Sequence, residues 1–419
     1  MPRGIARICN AATGAKTRFY VPHSVQHHTS MKLARRLDHI EPFYVMEFAK
    51  AAAELARSAE CAAEPMIFLN IGEPDFTAPP LVQQAAERAL RGGRTQYTDA
   101  TGLPALRERI SGWYASRFGL SIAPRRIIVT AGASAALQLA CLALVDRDDE
   151  VLLPDPSYPC NRHFVAAAEG RPVLVPASAE ERYQLSAASV RAAWGERTRG
   201  VLLASPSNPT GTSIDPDEMG RIVATVREHG GFTMVDEIYL GLSFDERFGH
   251  SALAHGDDVI SINSFSKYFS MTGWRLGWLV VPQELVAPVE KLAQNLYICP
   301  STVAQHAALA CFEPESIQEY ERRRSEFRAR RDFLVPALNR LGLRVPVLPD
   351  GAFYAWADCS AHHASSWDFS DDMMRRAHVA MTPGRDFGRH ASERFVRLSY
   401  ASSMDHLHEA VARLQRVLS

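Results

Sequence analysis

The sequence predicts an α/β protein with a parallel or mixed sheet covered by helices on both faces, followed by a smaller α+β unit. From about Pro80 onward, short continuous apolar runs alternate with helical patterns, which is typical of strands buried on both faces. Beyond about Pro314, one long helical stretch is followed by further strands. The length of 419 residues is sufficient for two domains.

Local signals predict the individual elements. A helix is predicted from "PPLVQQAAERALRGG", where glycine ends the pattern, and a buried helix from "AALQLACLALV", which starts at Ala135. The predicted strands of the first part are apolar runs, most of them bounded by Gly, Pro or Asp: "RRIIVTAG", "DEVLLPDP", "RPVLVPA", "RGVLLASP", "GFTMVDE" and "DDVISINSFS". The second part is predicted to contain the helix "PESIQEYERRRSEFRARRDFLVPALNRLGL" and the strands "LRVPVLP", "GAFYAWAD" and "RFVRLSYA". Acids are interleaved with the arginines between Arg322 and Arg331, which predicts a solvated helix face.

Composition excludes several classes of protein. The net charge of −1 gives no sign of a nucleic-acid partner or of an anionic membrane surface. No apolar run reaches the roughly 18 residues that a membrane helix needs. The 7 cysteines are scattered without a CxxC pair, which favours reduced thiols in a cytoplasmic protein.

The first thirty residues differ from the rest of the chain. They contain arginine and lysine but no acid, since the first acidic residue is Asp38. Two interpretations are open: a transit-like presequence, or a translated upstream region with Met31 as the true start. We favour the second, because periodic apolar patterning begins only after Met31, and we expect residues 1–30 to be a disordered or non-native extension. His23 and His27 are spaced by one helical turn, but a metal site is not expected in such a segment.

The segment "NSFSKYFSMTGWRLGW" places Lys267 among small hydroxyl residues and aromatics. Lysine heads are usually left in water, because burying an ammonium group is costly. A lysine in these surroundings is therefore a candidate reactive amine. Lysine forms imines with carbonyl compounds, and pyridoxal phosphate is the commonest biological aldehyde for this chemistry.

The sequence supplies the other residue types that this cofactor needs. A phosphate is bound by backbone N–H groups at a helix start, by hydroxyls and by arginine, and the pyridine nitrogen needs a carboxylate. Asn208, Asp236 and Ser264 each follow closely on a predicted strand, and "TAGASAAL" turns from a strand into a helix. Folds of this class bind ligands beyond the carboxyl ends of their strands, so we expect these residues to lie together.

On these motifs, the chain from about Arg35 to Ser419 resembles the aspartate-aminotransferase-like family, the class I/II aminotransferases with the type I pyridoxal phosphate fold. The resemblance implies a mostly parallel, seven-stranded-type sheet covered by helices in a large domain, with a smaller α+β domain. It also implies the cofactor pyridoxal 5′-phosphate. The expected limits are residues 31–75 for an arm and part of the small domain, 76–312 for the large domain and 313–419 for the small C-terminal domain.

Position by position, the resemblance implies roles for the residues of these motifs. Lys267 matches the family's Schiff-base lysine, and Asp236 matches the partner of the pyridine nitrogen. Asn208 and Tyr239 match the donors to the phenolic oxygen. The remaining matches are Tyr158 for the aromatic on the ring; Ala133, Ser134, Ser264, Ser266 and Arg275 for the phosphate cup; Tyr97 for a phosphate contact from the neighbouring subunit; and Gly72 and Arg397 for the substrate loop and the carboxylate clamp.

Taken singly, several of these residues have other interpretations. Asp236 is also compatible with a helix cap, Arg397 with a surface ion pair and Tyr158 with a core side chain. Their joint occurrence in this order is specific, above all "SFSK" followed by "GWRLG", and no metal-binding motif competes. Two positions depart from the commoner pattern: Ala133 stands where a serine is frequent, and Asn161 where relatives often have tyrosine.

The resemblance implies a transaminase, with an amino acid of aspartate, alanine or aromatic type as donor and a 2-oxo acid such as 2-oxoglutarate as acceptor. It also implies a homodimer with shared active sites. A β-elimination or C–S lyase reaction on the same scaffold remains open, because it uses the same residues. A regulator with an aminotransferase-like domain is a remote alternative, since no helix-turn-helix pattern precedes the domain.

The preferred side chain of the substrate is not determined by these motifs. A dicarboxylate substrate needs a second cation, for which Arg94 and Arg162 are candidates by position only. The segment Phe43, Tyr44, Val45 and Met46 is expected at the entrance, where it suits apolar or aromatic side chains.

Overall fold

The computed structural model describes residues 31–42 and 44–419. The expectations for residues 1–30 and for Phe43 lie outside these residues. The strands are β1 (Ile67–Phe68), β2 (Ile127–Thr130), β3 (Glu150–Asp155), β4 (Arg171–Pro176), β5 (Thr198–Ala204), β6 (Phe232–Asp236), β7 (Ile260–Ser264), β8 (Gly277–Val280), β9 (Tyr354–Asp358), β10 (Val379–Ala380), β11 (Thr382–Pro383) and β12 (Phe395–Ser399). The helices are α1 (Tyr44–Ala56), α2 (Pro80–Arg91), α3 (Pro104–Phe118), α4 (Ala133–Leu144), α5 (Pro159–Ala167), α6 (Ala187–Ala193), α7 (Pro216–Glu228), α8 (Gln283–Leu296), α9 (Thr302–Leu309), α10 (Pro314–Arg340), α11 (Ser366–Arg376) and α12 (Met404–Leu418).

A seven-stranded sheet organises the middle of the chain, in the order β2-β8-β7-β6-β5-β3-β4. The pairs β3–β4, β3–β5, β5–β6 and β6–β7 are parallel, and β8 runs antiparallel to both of its neighbours. The predicted fold class is confirmed, and each apolar run predicted as a strand in this part forms one.

The sheet is buried on both faces because its strands are apolar at consecutive positions. In β5, Val201 and Leu203 belong to the core on one face, while Leu202 lies in the core on the other face. Successive side chains of a strand point to opposite faces, so a continuous apolar run fills both cores. No helix of the described chain is long and apolar enough to cross a membrane.

The last third of the chain builds a three-stranded antiparallel sheet in the order β11-β12-β9, with α10, α11 and α12 around it. The short strand β1 pairs in parallel with β10, which attaches the segment before residue 75 to this part. The strand predicted from "LRVPVLP" is wrong, because only Arg344 forms an isolated bridge there, with Asp358. Pro346 and Pro349 explain the difference, since proline has no N–H to donate to a ladder.

The prediction of a solvated arginine face on α10 is only partly right. Arg323, Arg330 and Arg331 are buried. The guanidinium of Arg330 donates to both carboxylate oxygens of Asp75, over 2.8 and 2.9 Å. A buried guanidinium needs such a partner, and the interleaved acids do not show which arginines have one.

Candidate active site

A cavity of about 470 Å³ lies where β5, β6 and β7 end. These strands end at Ala204, Asp236 and Ser264, and all three residues line the cavity. Their carboxyl ends meet at one edge because the strands are parallel. The sequence-predicted residues that line it are Gly72, Ala133, Ser134, Tyr158, Asn208, Asp236, Tyr239, Ser264, Ser266, Lys267, Arg275 and Arg397.

Lys267 follows β7 and projects its amine into this cavity. Its Nζ donates to the carbonyl of Gly72 over 2.6 Å and lies 5.8 and 5.7 Å from the ring centroids of Tyr239 and Phe353. Burial lowers the pKa of Lys267 to about 8, and the charge of Arg397 acts in the same direction. About a tenth of this amine is therefore uncharged at pH 7, far more than for an ordinary lysine, and the uncharged form is the one that a nucleophile or a base requires.

Asp236 ends the central strand β6 and is buried. It accepts a hydrogen bond from the backbone N–H of Ile238 over 3.1 Å, and burial raises its pKa to about 6. The adjacent Glu237 is surrounded differently: its carboxylate accepts from Ser251 Oγ and from the Ala252 N–H, at 2.9 and 2.6 Å. Asp236 lines the cavity and Glu237 does not, so Asp236 is the one of these two carboxylates that is available to a ligand.

One end of the cavity has the features of an anion site. Helix α4 begins at Ala133 directly after Gly132, whose φ is +88°. A Cβ on Gly132 would lie 2.8 Å from Nη2 of Arg275, so only glycine lets the guanidinium approach this helix start. The hydroxyls of Ser264 and Ser266 are 2.9 Å apart and line the same cavity. A helix N-terminus, a guanidinium and hydroxyls together favour a phosphate group.

The opposite end of the cavity contains Arg397, on β12. Its Nη1 donates to Asn208 Oδ1 over 2.9 Å and its Nη2 to the carbonyl of Asn70 over 2.8 Å. The guanidinium lies 4.4 Å from the ring centroid of Tyr354. Arg397 is 3% exposed, so the surface ion pair considered for it does not occur. The groups that bind the guanidinium are neutral, and no carboxylate of the described residues forms an ion pair with it. Its positive charge is therefore available to an anionic group of a ligand.

Tyr354 lines the cavity but was not singled out from the sequence. Its hydroxyl lies 2.9 Å from that of Tyr239, and a Cβ on Gly72 would meet it at 2.5 Å. Tyr354 therefore contacts both Tyr239, whose ring lies near Lys267, and Arg397. The available signal was its place at the first position of "YAWAD" after a glycine turn, which the sequence shows only as the start of a strand.

Of the other residues that the sequence places near the site, some line the cavity and others do not. Val45 and Met46 line the cavity, as predicted, whereas the ring of Tyr44 packs edge-on against Trp367. Arg162 donates to the carbonyl of Asp386 and pairs with Glu41, and it does not line the cavity.

Tyr97 is the predicted site residue that lies elsewhere in this chain. It is 80% exposed and lines a second cavity together with Arg94 and Thr302. Within one subunit, it therefore contributes nothing to the cavity around Lys267. A contribution to the site of a second copy stays a prediction.

The arrangement fits pyridoxal phosphate in each of its parts. The phosphate matches the Arg275 end, and the pyridine nitrogen matches the buried carboxylate of Asp236. The aldehyde matches the amine of Lys267, and the ring matches the half-buried Tyr158, whose hydroxyl stays protonated because desolvation raises its pKa well above the ordinary value.

Comparisons with known proteins give one consistent result. The family model described as "Aminotransferase class I and II" matches residues 64–414. The valine–pyruvate aminotransferase of Mycobacterium tuberculosis is 36% identical over 376 residues, which cover 90% of this chain and 96% of that protein. The aspartate aminotransferase of Pyrococcus horikoshii is 34% identical over 361 residues, covering 85% and 91%.

Solved structures agree with the sequence comparisons. An aminotransferase from Mycobacterium tuberculosis superposes with a TM-score of 0.89 at 36% identity, over 93% of this chain and 99% of that chain. The aspartate aminotransferase from Thermus thermophilus with maleate gives a TM-score of 0.86 at 32% identity, over 92% and 100%.

Proposed function

This chain belongs to the aminotransferase class I and II family, and we propose that it transfers the amino group of an L-amino acid to a 2-oxo acid with pyridoxal 5′-phosphate held in the cavity around Lys267. The observation that carries the proposal is that three groups line one cavity. They are a lysine of lowered pKa, Lys267; a buried carboxylate, Asp236; and a buried arginine, Arg397, whose hydrogen-bond acceptors among the described residues are neutral.

Pyridoxal phosphate, when bound, supplies an aldehyde that condenses with amines and a pyridinium ring that accepts the electron pair released at the substrate's Cα. The protein's own residues do the rest. Asp236 would hold the proton on the pyridine nitrogen of the bound cofactor, because a buried carboxylate is best stabilised by a buried cation. Lys267 Nζ would remove the proton from the substrate's Cα as general base and, once protonated, would serve as general acid.

Arg397 binds the substrate's α-carboxylate through two parallel N–H groups. The amide of Asn208 and the ring of Tyr354 keep the guanidinium from rotating. The hydroxyl of Tyr239 would donate a hydrogen bond to the cofactor's phenolic oxygen. It stays protonated because burial raises the pKa of Tyr239 well above the ordinary value. Gly72 leaves room for the substrate beside Tyr354, since any side chain there would collide with the hydroxyl.

The side chain of the substrate would face Val45 and Met46, which supports apolar or aromatic donors among the types expected from the sequence. The names of the relatives span valine, aspartate and aromatic substrates, so the donor is best found by a panel. The acceptor proposed is 2-oxoglutarate.

The domain limits, the homodimer and the cellular location are also proposals. The proposed domain limits are 31–75, 76–312 and 313–419. They are supported by the sheets, because the seven-stranded sheet, β2 to β8, lies within the central range and the three-stranded sheet, β9, β11 and β12, lies within the last one. The exposed Tyr97 supports a homodimer in which each subunit completes the partner's phosphate site. No disulfide joins the described cysteines, which supports a reducing compartment and a cytoplasmic location.

A spectroscopic experiment tests the central proposal. The purified protein, or the protein after addition of pyridoxal phosphate, should be yellow, with an absorbance band that borohydride abolishes. Lys267→Ala should still bind the cofactor through the phosphate end while transamination falls by about 10³-fold or more. The common amino acids should then be tested with 2-oxoglutarate, pyruvate and oxaloacetate.

Two outcomes would contradict the proposal. A wild-type protein that gains no absorbance with the cofactor would remove its basis. Release of pyruvate and ammonia without any 2-oxo acid acceptor would favour the elimination reaction instead.

A further inference from the structure

Two segments meet behind the substrate end of the cavity. The first, the Asn208 turn, comprises residues 205–214 after β5. The second, the Tyr354 loop, comprises residues 349–353 before β9. The backbone N–H groups of Asp350 and Gly351 both donate to the carbonyl of Gly211, over 2.9 and 3.0 Å.

The two segments approach so closely that side chains are excluded between them. Gly211 has a φ of +68°, and a Cβ on it would lie 2.8 Å from the Cβ of Pro349. A Cβ on Gly351 would lie 2.6 Å from the Cγ of Pro206. The contact therefore joins backbone to backbone, and a shift of one segment must move the other.

The side chain of Asp350 extends this contact. It is 4% exposed, and its carboxylate accepts from the N–H of Ser213 over 2.9 Å and also from the Ser213 hydroxyl. The guanidinium of Arg182 donates to the same carboxylate. Both carboxylate oxygens thus bind the end of the Asn208 turn, and neither Asp350 nor Ser213 lines the cavity.

The joined segments hold the guanidinium of Arg397 from two sides. Asn208 accepts from its Nη1, and the ring of Tyr354 lies 4.4 Å from its central carbon. The distance between the amide and the ring sets the orientation of the planar fork. That distance is in turn set by the contact between the two segments.

We propose that Asp350 is a positioning residue for the α-carboxylate clamp, acting by holding the Asn208 turn against the Tyr354 loop. The proposal rests on the function proposed above for Arg397. Without the carboxylate, Asn208 and Tyr354 separate, the fork of Arg397 loses its alignment, and amino acids bind more weakly. The phosphate end, formed by α4 and Arg275, is not part of this contact, so cofactor binding loses no more than the one hydrogen bond expected from Asn208 to the phenolic oxygen.

The test compares Asp350→Asn with the wild type and with a matched control. Asparagine preserves the shape and removes the charge. We expect the KM for the amino acid to rise about tenfold with kcat changed by less than about threefold, because misplacement of a binding group weakens the bound state. The rate with a simple amine that has no carboxylate, and the Kd of pyridoxal phosphate, should each change by less than about threefold, because neither depends on the α-carboxylate clamp and at most one hydrogen bond from Asn208 is weakened. Asp371→Asn, which removes a carboxylate paired with Arg375 within α11, should change none of these quantities.

A purely structural role would give a different pattern. A lower melting temperature with the ratio of amino-acid to amine rates unchanged would overturn the proposal. If Asp350→Asn does not fold, Ser213→Ala removes one hydrogen bond of the same contact and should raise KM about threefold. An unchanged KM in that variant would equally count against it.

A second measurement separates this proposal from the proposed function. Amide hydrogen exchange at Ser213 and Gly351 needs no substrate, and it should become at least about tenfold faster in Asp350→Asn. If the wild type does not act on amino acids, the proposed function fails, while faster exchange still supports the contact. Unchanged exchange would overturn the contact, whatever the enzyme's activity.

Discussion

The two ends of the active-site cavity are built in different ways. The cofactor end takes its groups from a single sheet and the loops that follow it, between Gly132 and Arg275. The substrate end combines Gly72, Asn208 and Arg397, which come from three separate parts of the chain. The cofactor end therefore depends on strand order alone, while the substrate end depends on how the two sheets pack together.

The electrostatics of the two ends differ as well. At the cofactor end, burial raises the pKa of Asp236 to about 6 and lowers that of Lys267 to about 8. Both charged forms are disfavoured, so these groups are prepared to gain a partner or to move a proton. At the substrate end, the guanidinium of Arg397 is held by an amide, a carbonyl and a ring. One end is suited to chemistry and the other to orientation.

Removing the carboxylate at the cofactor end should have the largest effect. Asp236→Asn should lower kcat/KM by about 10³-fold, because a neutral amide cannot stabilise a proton on the pyridine nitrogen. Cofactor binding should remain, since the phosphate end is intact. A loss of less than about tenfold would show that Asp236 does not act on the reacting ring.

The same variant gives a pH test that needs no activity. Burial raises the pKa of Asp236 above its unfolded value, so its contribution to stability is complete below about pH 4 and is lost as the pH rises through about 6. In protein freed of cofactor, the wild type should lose about 3 kcal/mol relative to Asp236→Asn between pH 4 and pH 7. Denaturant unfolding at several pH values measures this difference, and parallel curves for the two proteins would contradict the raised pKa.

A change at the substrate end should have a smaller and more selective effect. Arg397→Lys should lower kcat/KM for amino acids about 10²-fold, because an ammonium group cannot replace the two parallel N–H groups. The rate with a simple amine should be nearly unchanged. Arg162→Lys is the matched control, since Arg162 lies outside the cavity and should leave both rates within about twofold. Equal losses for amino acid and amine would assign Arg397 a structural role.

The smallest expected effect concerns the reach of the cofactor end into a second chain. Tyr97→Ala and Lys267→Ala chains, each impaired when pure, should restore activity when mixed. One site of a mixed dimer then contains both native residues, so random reassortment restores roughly a quarter of wild-type sites. Activity equal to the sum of the two pure variants, after confirmed subunit exchange, would place Tyr97 outside the site.

Local sequence signals were sufficient for the cofactor end. Asp236 and Ser264 stand directly at the ends of apolar runs, and parallel strands bring such ends to one edge. The family resemblance then supplied a role for each residue, including Arg397. It was less informative about Tyr354, whose position at a strand start has no distinctive neighbour in the sequence.

Charge patterns were the weakest guide. The arginines of α10 are interleaved with acids, and Glu326 does accept a hydrogen bond from the buried Arg330, but the bidentate partner of this guanidinium is Asp75, more than 250 positions away. Sequence spacing shows which charges are neighbours along a helix, and it does not show which charges lose their water when distant segments pack.

The sequence by itself determined the sheet and the family and predicted Lys267 as the candidate reactive amine, because apolar periodicity and strand-end residues act over short distances. Only the tertiary structure decided how the carboxylate clamp is held, through the contact of Gly211 with the backbone of Asp350 and Gly351 and the contact of Arg397 with Asn208 and Tyr354. The contacts of Gly211 with Asp350 and Gly351, and of Arg397 with Asn208, join residues more than a hundred positions apart. Their geometry depends on which backbones can approach without a side chain between them, and that becomes defined only when the two sheets are packed together.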